Sequence, residues 1–392
     1  MNSNGHKMKK HVFVYCEKWQ PGGIQVIQAK LAERLQGEAW QFDLAVSEQD
    51  TDMFVDDIQN AGAKFIVTLP RKYKGPIRRI LANACALYPL LRNGHYDICH
   101  FNVCQGVEMV YLFVAMLAGV PVRIAHCRNN GIGAGGKLRG LKILAHEVCK
   151  RVFGGCATVR IANSDLAAKW MFLPRQIKRG DVLLMDNGID TERFAFSQAV
   201  RERTRRALGV EESFLIGHIG HFSYQKNHEW VLRVFSAYLK KHAEAKLLLV
   251  GTGELEQSVR AQAERLGIES RILFYGATKD VAPLLCAMDV FLFPSRFEGF
   301  GNVLIEAQAT GLPCVVSADV IPERVHILKN YKTVSLRESA ETWAAAIEQV
   351  TQEDTQKRQS HGDEISKMGL DISSMADRIR TVYIHASEER KP

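Results

Sequence analysis

Two carboxylates, one lysine and a few glycines hold most of the chemistry this sequence could perform. The stretch FEGFGNVLIEAQATGLP (297–313) sets Glu298 just before Gly299 and Gly301, and places Glu306 about two turns into the helix-forming run that follows. Glycines there let backbone come close to a ligand. Successive N–H groups at such a turn, aligned with the dipole of the next helix, favour a phosphate oxygen. A carboxylate repels phosphate, so Glu298 suits another part of the ligand, where it would accept hydrogen bonds from sugar hydroxyls. Glu306 could take two neighbouring hydroxyls, as a ribose offers. Acids are also favoured near any helix start, so the inference rests on glycines and carboxylates occurring together.

Two further segments have the same character. In HFSYQKNHEW (221–230), Lys226 falls near a helix start, where a compact ammonium could neutralise a diphosphate. Taken alone, it would more often be a solvated lysine; Asn227 is expected to cap the helix and His228 to lie on the surface. In EKWQPGGIQV (17–26), Gly22 and Gly23 end a loop and a helix begins near Ile24. Backbone N–H groups could face an anion there, or the pair could simply turn the chain.

The elements that must position these groups are short β-rich runs alternating with amphipathic helical segments, the mark of parallel α/β sheets. The first half has HVFVYC (11–16), FDLAV (42–46), KFIVTL (64–69), YDICHF (96–101), VRIAH (122–126) and TVRIAN (158–163). The second has FLIGHIG (214–220), KLLLVG (246–251), RILFYG (271–276), DVFLFP (289–294), PCVVS (313–317) and TVSL (333–336). At 392 residues, two domains are expected. LLMDNGIDTERF (183–194) reads as a hinge, Glu353 to Asp371 as a polar interruption, and Ser373 to Ser387 as a last helix. The fold class is therefore α/β, with two Rossmann-like sheets in tandem; facing each other, they would enclose a cleft at the carboxyl ends of their strands.

Composition narrows the function. Hydrophobic content of 46% and charged content of 24% suit a soluble globular chain. No uncharged run reaches the roughly 18 residues of a membrane span, and Met109 to Val122 reads as a buried helix leading into a strand. The opening MNSNGHKMKKHVFVYC has no cleavage site, so no signal peptide is expected. Nine scattered cysteines without a CxxC pair suggest neither zinc nor a disulfide framework, and fit a reducing cytoplasm. A net charge of +8 asks for a partner.

FEGFGNVLIEAQATGLPCVVS resembles the signature of retaining glycosyltransferases of family 4, which have the GT-B fold and two glutamates separated by seven residues, as Glu298 and Glu306 are. The likeness continues in order through PGGI (21–24), IAHCRN (124–129), IANSD (161–165), NGID (187–190), GHFSYQKNH (220–228), VGTGEL (250–255) and FYGATKDVAPLLCAMDVFLFPS (274–295). It covers nearly the whole chain and is most similar to the subgroup serving exopolysaccharide and capsule synthesis. It implies an N-terminal acceptor-side domain (1–187), a C-terminal nucleotide-sugar domain (188–371), and a terminal helix (372–392) that could pack back on the first domain.

The resemblance also implies roles. Glu298 would hold hydroxyls of the donor sugar and Glu306 the ribose. Lys226 would bind the diphosphate, together with backbone at Gly22 and Gly23 and from Gly299 through Phe300, Gly301 and Asn302 to Val303. His126 would stand near the reacting centre, although by itself it would more often be a buried strand-end histidine. The family usually has arginine ahead of the loop leading to its lysine; here it is His221, which gives up a bidentate phosphate grip and bears on donor affinity. The implied reaction transfers a sugar with retained configuration from a nucleotide diphosphate, UDP above all, by a front-face route in which phosphate accepts the acceptor's proton. No metal and no cofactor are expected, since no DxD sits in a suitable loop and the donor enters as substrate. Two other classes stay open: a nucleotide-sugar 2-epimerase, which needs no acceptor, and a sugar-nucleotide-binding protein without catalysis.

A rival motif, GIGAGGK (131–137), matches GxGxxG, but CRNN separates it from its strand and no acid follows at the required distance. A mobile loop over the cleft is the better expectation. In LPRKYKGPIRRILANACALYPLLRNGH (69–95), Arg71, Lys72, Lys74, Arg78 and Arg79 accompany an apolar helix. Such a face could rest on anionic lipid headgroups or merely be solvated. Nucleic acid is not expected, because no aromatic-interleaved basic motif occurs. The expectation is a cytoplasmic enzyme, peripheral to the inner membrane face, acting on a lipid-linked glycan.

Overall fold

The computed structural model describes residues 9–20, 22–37, 39–73, 75–131, 139–318, 320–352 and 358–388. The chain separates into two compact units, Met1–Asn187 with Ile372–Pro392, and Gly188–Asp371. Each is a parallel sheet covered by helices.

The first unit contains β1 (Lys10–Trp19), β2 (Trp40–Gln49), β3 (Lys64–Val67), β4 (Ile98–Val103), β5 (Val122–Cys127), β6 (Val159–Ala162) and β7 (Leu183–Leu184), ordered β3-β2-β1-β4-β5-β6-β7. The second contains β8 (Leu215–Ile219), β9 (Lys246–Val250), β10 (Ile272–Gly276), β11 (Val290–Phe293), β12 (Cys314–Ser317) and β13 (Tyr331–Val334), ordered β10-β9-β8-β11-β12-β13. Every residue of β4, β8, β11 and β12 is buried. That explains their continuous apolar runs: a parallel strand sandwiched between helices has no solvent face to alternate with.

Strand order reverses beside β1 in the first sheet and beside β8 in the second. At such points the two connections leave in opposite directions, so a crevice opens at the carboxyl edge. The Gly22–Gly23 turn follows β1; the Lys226 loop follows β8 and the Glu298 loop follows β11.

The last helix, Ile372–Glu388, belongs to the first unit. Ile372, Met375, Ala376, Ile379 and Tyr383 recur at helical spacing and pack with Val14, Leu31, Leu35, Trp40 and Phe42. Burying each of the larger apolar side chains contributes about 2 kcal/mol. Three expectations need adjusting. The segment expected as a hinge opens with the two-residue strand β7, the last strand begins at Tyr331 and not Thr333, and the polar stretch includes a helix, Gly362–Lys367.

Candidate functional site

In the second unit, the loops after β8 and β11 are laced together. Asn227, in the left-handed conformation at φ 58°, precedes the helix His228–Leu239, and its Nδ2 donates to the Pro294 carbonyl at 3.0 Å. The Arg296 amide donates to the Gln225 carbonyl at 2.8 Å, and its guanidinium reaches the Tyr224 carbonyl at 2.8 Å while stacking over the Tyr224 ring. Lys226 lies within this lacing. Its Nζ is 4.5 Å from the Phe293 ring centroid and donates to Glu298 Oε1 at 2.7 Å. A Cβ on Gly220 would meet Lys226 Cγ at 2.8 Å, so glycine there makes room for the lysine stem. The side chains of Lys226 and Glu298 are 16% and 7% exposed, so each charge depends on the other for much of its solvation. The sequence suggested separate ligand parts for the two residues; the structure pairs them.

Glu306 lies in the helix Asn302–Ala309, half-buried, and its carboxylate makes no hydrogen bond among the described residues. Burial pushes its pKa up to about 7, against the opposing pull of Arg193 and Lys226. Gly301 begins that helix at φ 86°, a conformation that favours glycine, and no side chain caps the terminus. Gly299 and Gly301 are buried, while Asn302 and Val303 are half-exposed. The Phe300 side chain is 1% exposed in the core beside Leu304 and Ile321, so only its backbone could meet a ligand.

His221 does not stand alone. Its Nε2 lies 3.0 Å from Glu254 Oε2, a residue of the loop after β9, while its buried Nδ1 has no partner among the described residues. The loops after β8 and β9 meet backbone to backbone: a Cβ on Gly251 would strike the Gly220 carbonyl oxygen at 2.2 Å, and one on Gly253 the Phe222 backbone at 2.6 Å. That closeness also corrects the expectation for His228. It is 2% exposed, stacked on Phe222 at 4.0 Å and edge-on to His218 at 4.6 Å. Burial holds both histidines below their usual pKa, His218 at about 4. Asn227 holds the cap position, but its side chain is spent on the Pro294 carbonyl and makes no cap hydrogen bond.

In the first unit, Gly22 and Gly23 are exposed at the start of the helix Gly23–Leu35, which no side chain caps. His126 is fully buried near the end of β5, with Nδ1 3.0 Å from His100 Nε2 and Nε2 without a partner among the described residues. Beside it, buried Arg128 donates to Asn102 Oδ1 at 2.8 Å and Asn187 Oδ1 at 2.6 Å, and Nη2 has no partner among the described residues. Sequence reasoning singled out neither Arg128, His100 nor Glu254; the motifs IAHCRN and VGTGEL contain two of them, and His100 lies within the run YDICHF. The basic face is uneven. Lys72 pairs with Asp50 at 2.8 Å and Arg79 with Glu17 at 3.0 Å, whereas exposed Arg71 and Arg78 have no carboxylate partner among the described residues. Lys74 and residues 132–138, most of the GIGAGGK loop, lie outside the described residues. No described helix is long and apolar enough to cross a membrane.

Comparison with known proteins bears on the fold and the family. Residues 213–353 match the family described as glycosyl transferases group 1. EpsF of Bacillus subtilis, a glycosyltransferase by name, is 28% identical over 99% of both chains. The UDP-Gal:alpha-D-GlcNAc-diphosphoundecaprenol alpha-1,3-galactosyltransferase of Escherichia coli is 26% identical over 75% of this chain and 76% of its own. Among solved structures, Anabaena HepE in complex with UDP and glucose superposes with a TM-score of 0.75 at 19% identity, over 96% of this chain and 99% of that one. Residues 213–353 therefore form a glycosyltransferase group 1 domain, in a chain whose two parallel-sheet units match the GT-B glycosyltransferase structures.

Proposed function

We propose that this chain is a retaining, metal-independent glycosyltransferase of family 4 that moves a sugar from a UDP-linked donor to a lipid-linked glycan in exopolysaccharide or capsule synthesis. The observation that carries the reading is the arrangement at the second sheet's switch point. There a largely buried Lys226–Glu298 pair lies on the two loops where an α/β sheet binds ligands, and the helix that follows the second loop has an uncapped start and carries Glu306, which makes no hydrogen bond among the described residues.

Each part then has work to do on a sugar nucleotide. Lys226 and the amides from Gly299 to Val303 face the diphosphate and stabilise the negative charge that grows as the sugar departs. Glu298, displaced from Lys226 by phosphate, accepts hydroxyls of the sugar. Glu306 accepts the ribose hydroxyls. His221, with Glu254, stands near the phosphates in place of an arginine. His126 serves the reacting centre. No side chain is needed as a nucleophile, because the departing phosphate can take the acceptor's proton.

A donor with UDP is favoured by the ligands named for HepE and by the galactosyltransferase relative, whose name also specifies a diphosphate-lipid acceptor. A capsular relative of Staphylococcus aureus, CapM, points to the same kind of polymer. Attachment to an anionic cytoplasmic membrane face fits the distribution of charge. Residues 69–153 hold 13 of the chain's 51 Lys and Arg but only 3 of its 43 Asp and Glu, leaving the remainder near neutral. Within that span, Ile77 and Leu81 on the helix Pro76–Asn93, and Leu141, Leu144, Val148 and Val152 on the helix Arg139–Phe153, are exposed apolar residues at helical spacing.

The test is turnover of UDP-sugars with a diphosphate-lipid-linked glycan, reading UDP release and the anomeric configuration of the product. The expected product keeps the donor's configuration; an inverted product, or sugar interconversion without acceptor, would overturn the reading.

A further inference from the structure

Behind His126 stand two side chains drawn from distant parts of the sequence. Tyr383, from the C-terminal helix, places its Oη 2.7 Å from His100 Nδ1, and His100 Nε2 lies 3.0 Å from His126 Nδ1. All three side chains are buried, and their β4, β5 and helix scaffolds belong to one compact unit. We propose that Tyr383 and His100 are positioning residues that lock His126 in the tautomer bearing its proton on Nε2.

The argument is an accounting of protons. Both imidazoles are neutral: burial, with the Arg128 cation next, pushes His100 down to about 3 and His126 well below its usual value. A neutral imidazole has one N–H and one bare nitrogen. The phenol has one proton to donate, and His100 Nδ1 is its only hydrogen-bond partner among the described residues. If Tyr383 donates there, His100 Nδ1 is bare and Nε2 carries the proton. That proton is donated to His126 Nδ1, which must be bare in turn. His126 then holds its own proton on Nε2, the buried nitrogen with no partner. Run in reverse, the chain would leave two buried groups unsatisfied, the phenol proton and a bare His126 Nε2, whereas the forward order leaves only the His126 Nε2–H, and each such group is costly. The row therefore has a direction, fixed by the C-terminal helix.

The consequence deepens the proposed function and rests on its placement of His126 at the reacting centre. A histidine with Nε2–H offers a hydrogen bond to a ligand oxygen and cannot serve there as a base. The proton of the incoming hydroxyl must go elsewhere, as transfer to the departing phosphate requires.

The test is a long-range proton–nitrogen NMR spectrum of the full chain with 15N-labelled histidine, with His126 and His100 assigned by loss of their signals in H126Q and H100Q. The expected spectrum shows His126 with a bare Nδ1 and a protonated Nε2. In Tyr383→Phe, which keeps the packing against Trp40 and Phe42, that preference should weaken towards a mixture. A wild-type His126 protonated on Nδ1 would overturn the lock, and would do so without any variant; so would an unchanged spectrum in Tyr383→Phe. Transfer is read separately: Tyr383→Phe should lower kcat about tenfold, the worth of one hydrogen bond, with little change in donor KM. A confirmed lock with kcat unaltered would instead remove His126 from the reacting centre, leaving the tautomer assignment standing.

Discussion

At the scale of single residues, the pair Lys226–Glu298 decides most. Its charges meet at 2.7 Å with the carboxylate buried and the ammonium largely so, and a donor's phosphate can therefore draw the ammonium away only if the carboxylate gains new partners in the same step. Sugar hydroxyls are such partners, and the two residues are thereby coupled. Glu298→Gln should cost roughly 2–4 kcal/mol of transition-state stabilisation, the worth of a charged acceptor, seen as a fall in kcat/KM. Activity surviving intact would remove Glu298 from the site. Glu306 gives a pH signature. With its pKa near 7, it is mostly protonated at pH 6 and ionised at pH 8, and the ionised form accepts two hydroxyls. Nucleotide affinity measured by calorimetry should therefore tighten by up to about tenfold over that range, and the trend should vanish in Glu306→Gln. The identities of these residues were legible in the sequence, but their pairing was not. Seventy-two positions separate Lys226 from Glu298, and only the strand order that sets β11 beside β8, with β9 and β10 elsewhere, makes them neighbours. His228 was misjudged for a related reason: a first-turn helical residue is usually exposed, yet the loop bearing Phe222 folds over this one.

At the scale of elements, strands were easy to find and helix partners were not. Buried parallel strands read as continuous apolar runs, whereas β7 is two half-exposed leucines with no such signal. The terminal helix was visible from its periodicity. Nothing in its sequence says that it supplies Tyr383 to His100, because a tyrosine on an apolar stripe looks like packing alone. The helices Pro76–Asn93 and Arg139–Phe153 raise the opposite problem, apolar residues left uncovered. If they rest on lipid, the cations that matter are those without a carboxylate partner, Arg71 and Arg78, more than Arg79, which is tied to Glu17. Changing Arg71 and Arg78 to Ser should weaken binding to anionic vesicles by about fivefold for each charge lost, and the effect should fade at high salt. Unchanged sedimentation with vesicles would leave this face merely solvated.

At the scale of the whole molecule, buried histidines set the response to acid. Burial lowers the pKa of His100, His126, His146, His218 and His228, so each stays neutral in the fold and takes up a proton only on unfolding. Stability should therefore fall as pH drops below about 6.5, by up to about 1.4 kcal/mol per pH unit for each such group. Glu108 and Glu306 act in the opposite sense. Raised to about 8 and about 7, they favour the fold as pH falls towards 4.5, but two carboxyls do not offset five histidines. Melting curves between pH 7 and 5 should show a Tm that decreases on acidification; a flat or rising Tm would mean that the histidines are hydrated or paired. The two-sheet architecture was readable from the alternation of strands and helices, while the concentration of positive charge within residues 69–153 becomes meaningful only once those residues are seen to share one unit.

The central claim is that the loops after β8 and β11 hold a sugar nucleotide. The most direct measurement is thermal stabilisation by UDP-, GDP-, ADP- and dTDP-sugars without added metal, in the wild type and in Glu306→Ala. A nucleotide at 100 times its Kd should add about 2.7 kcal/mol, a shift of several degrees. The account predicts such a shift with UDP-sugars and its loss in Glu306→Ala. No shift with any of the four nucleotides, or a shift that survives the substitution undiminished, would contradict it.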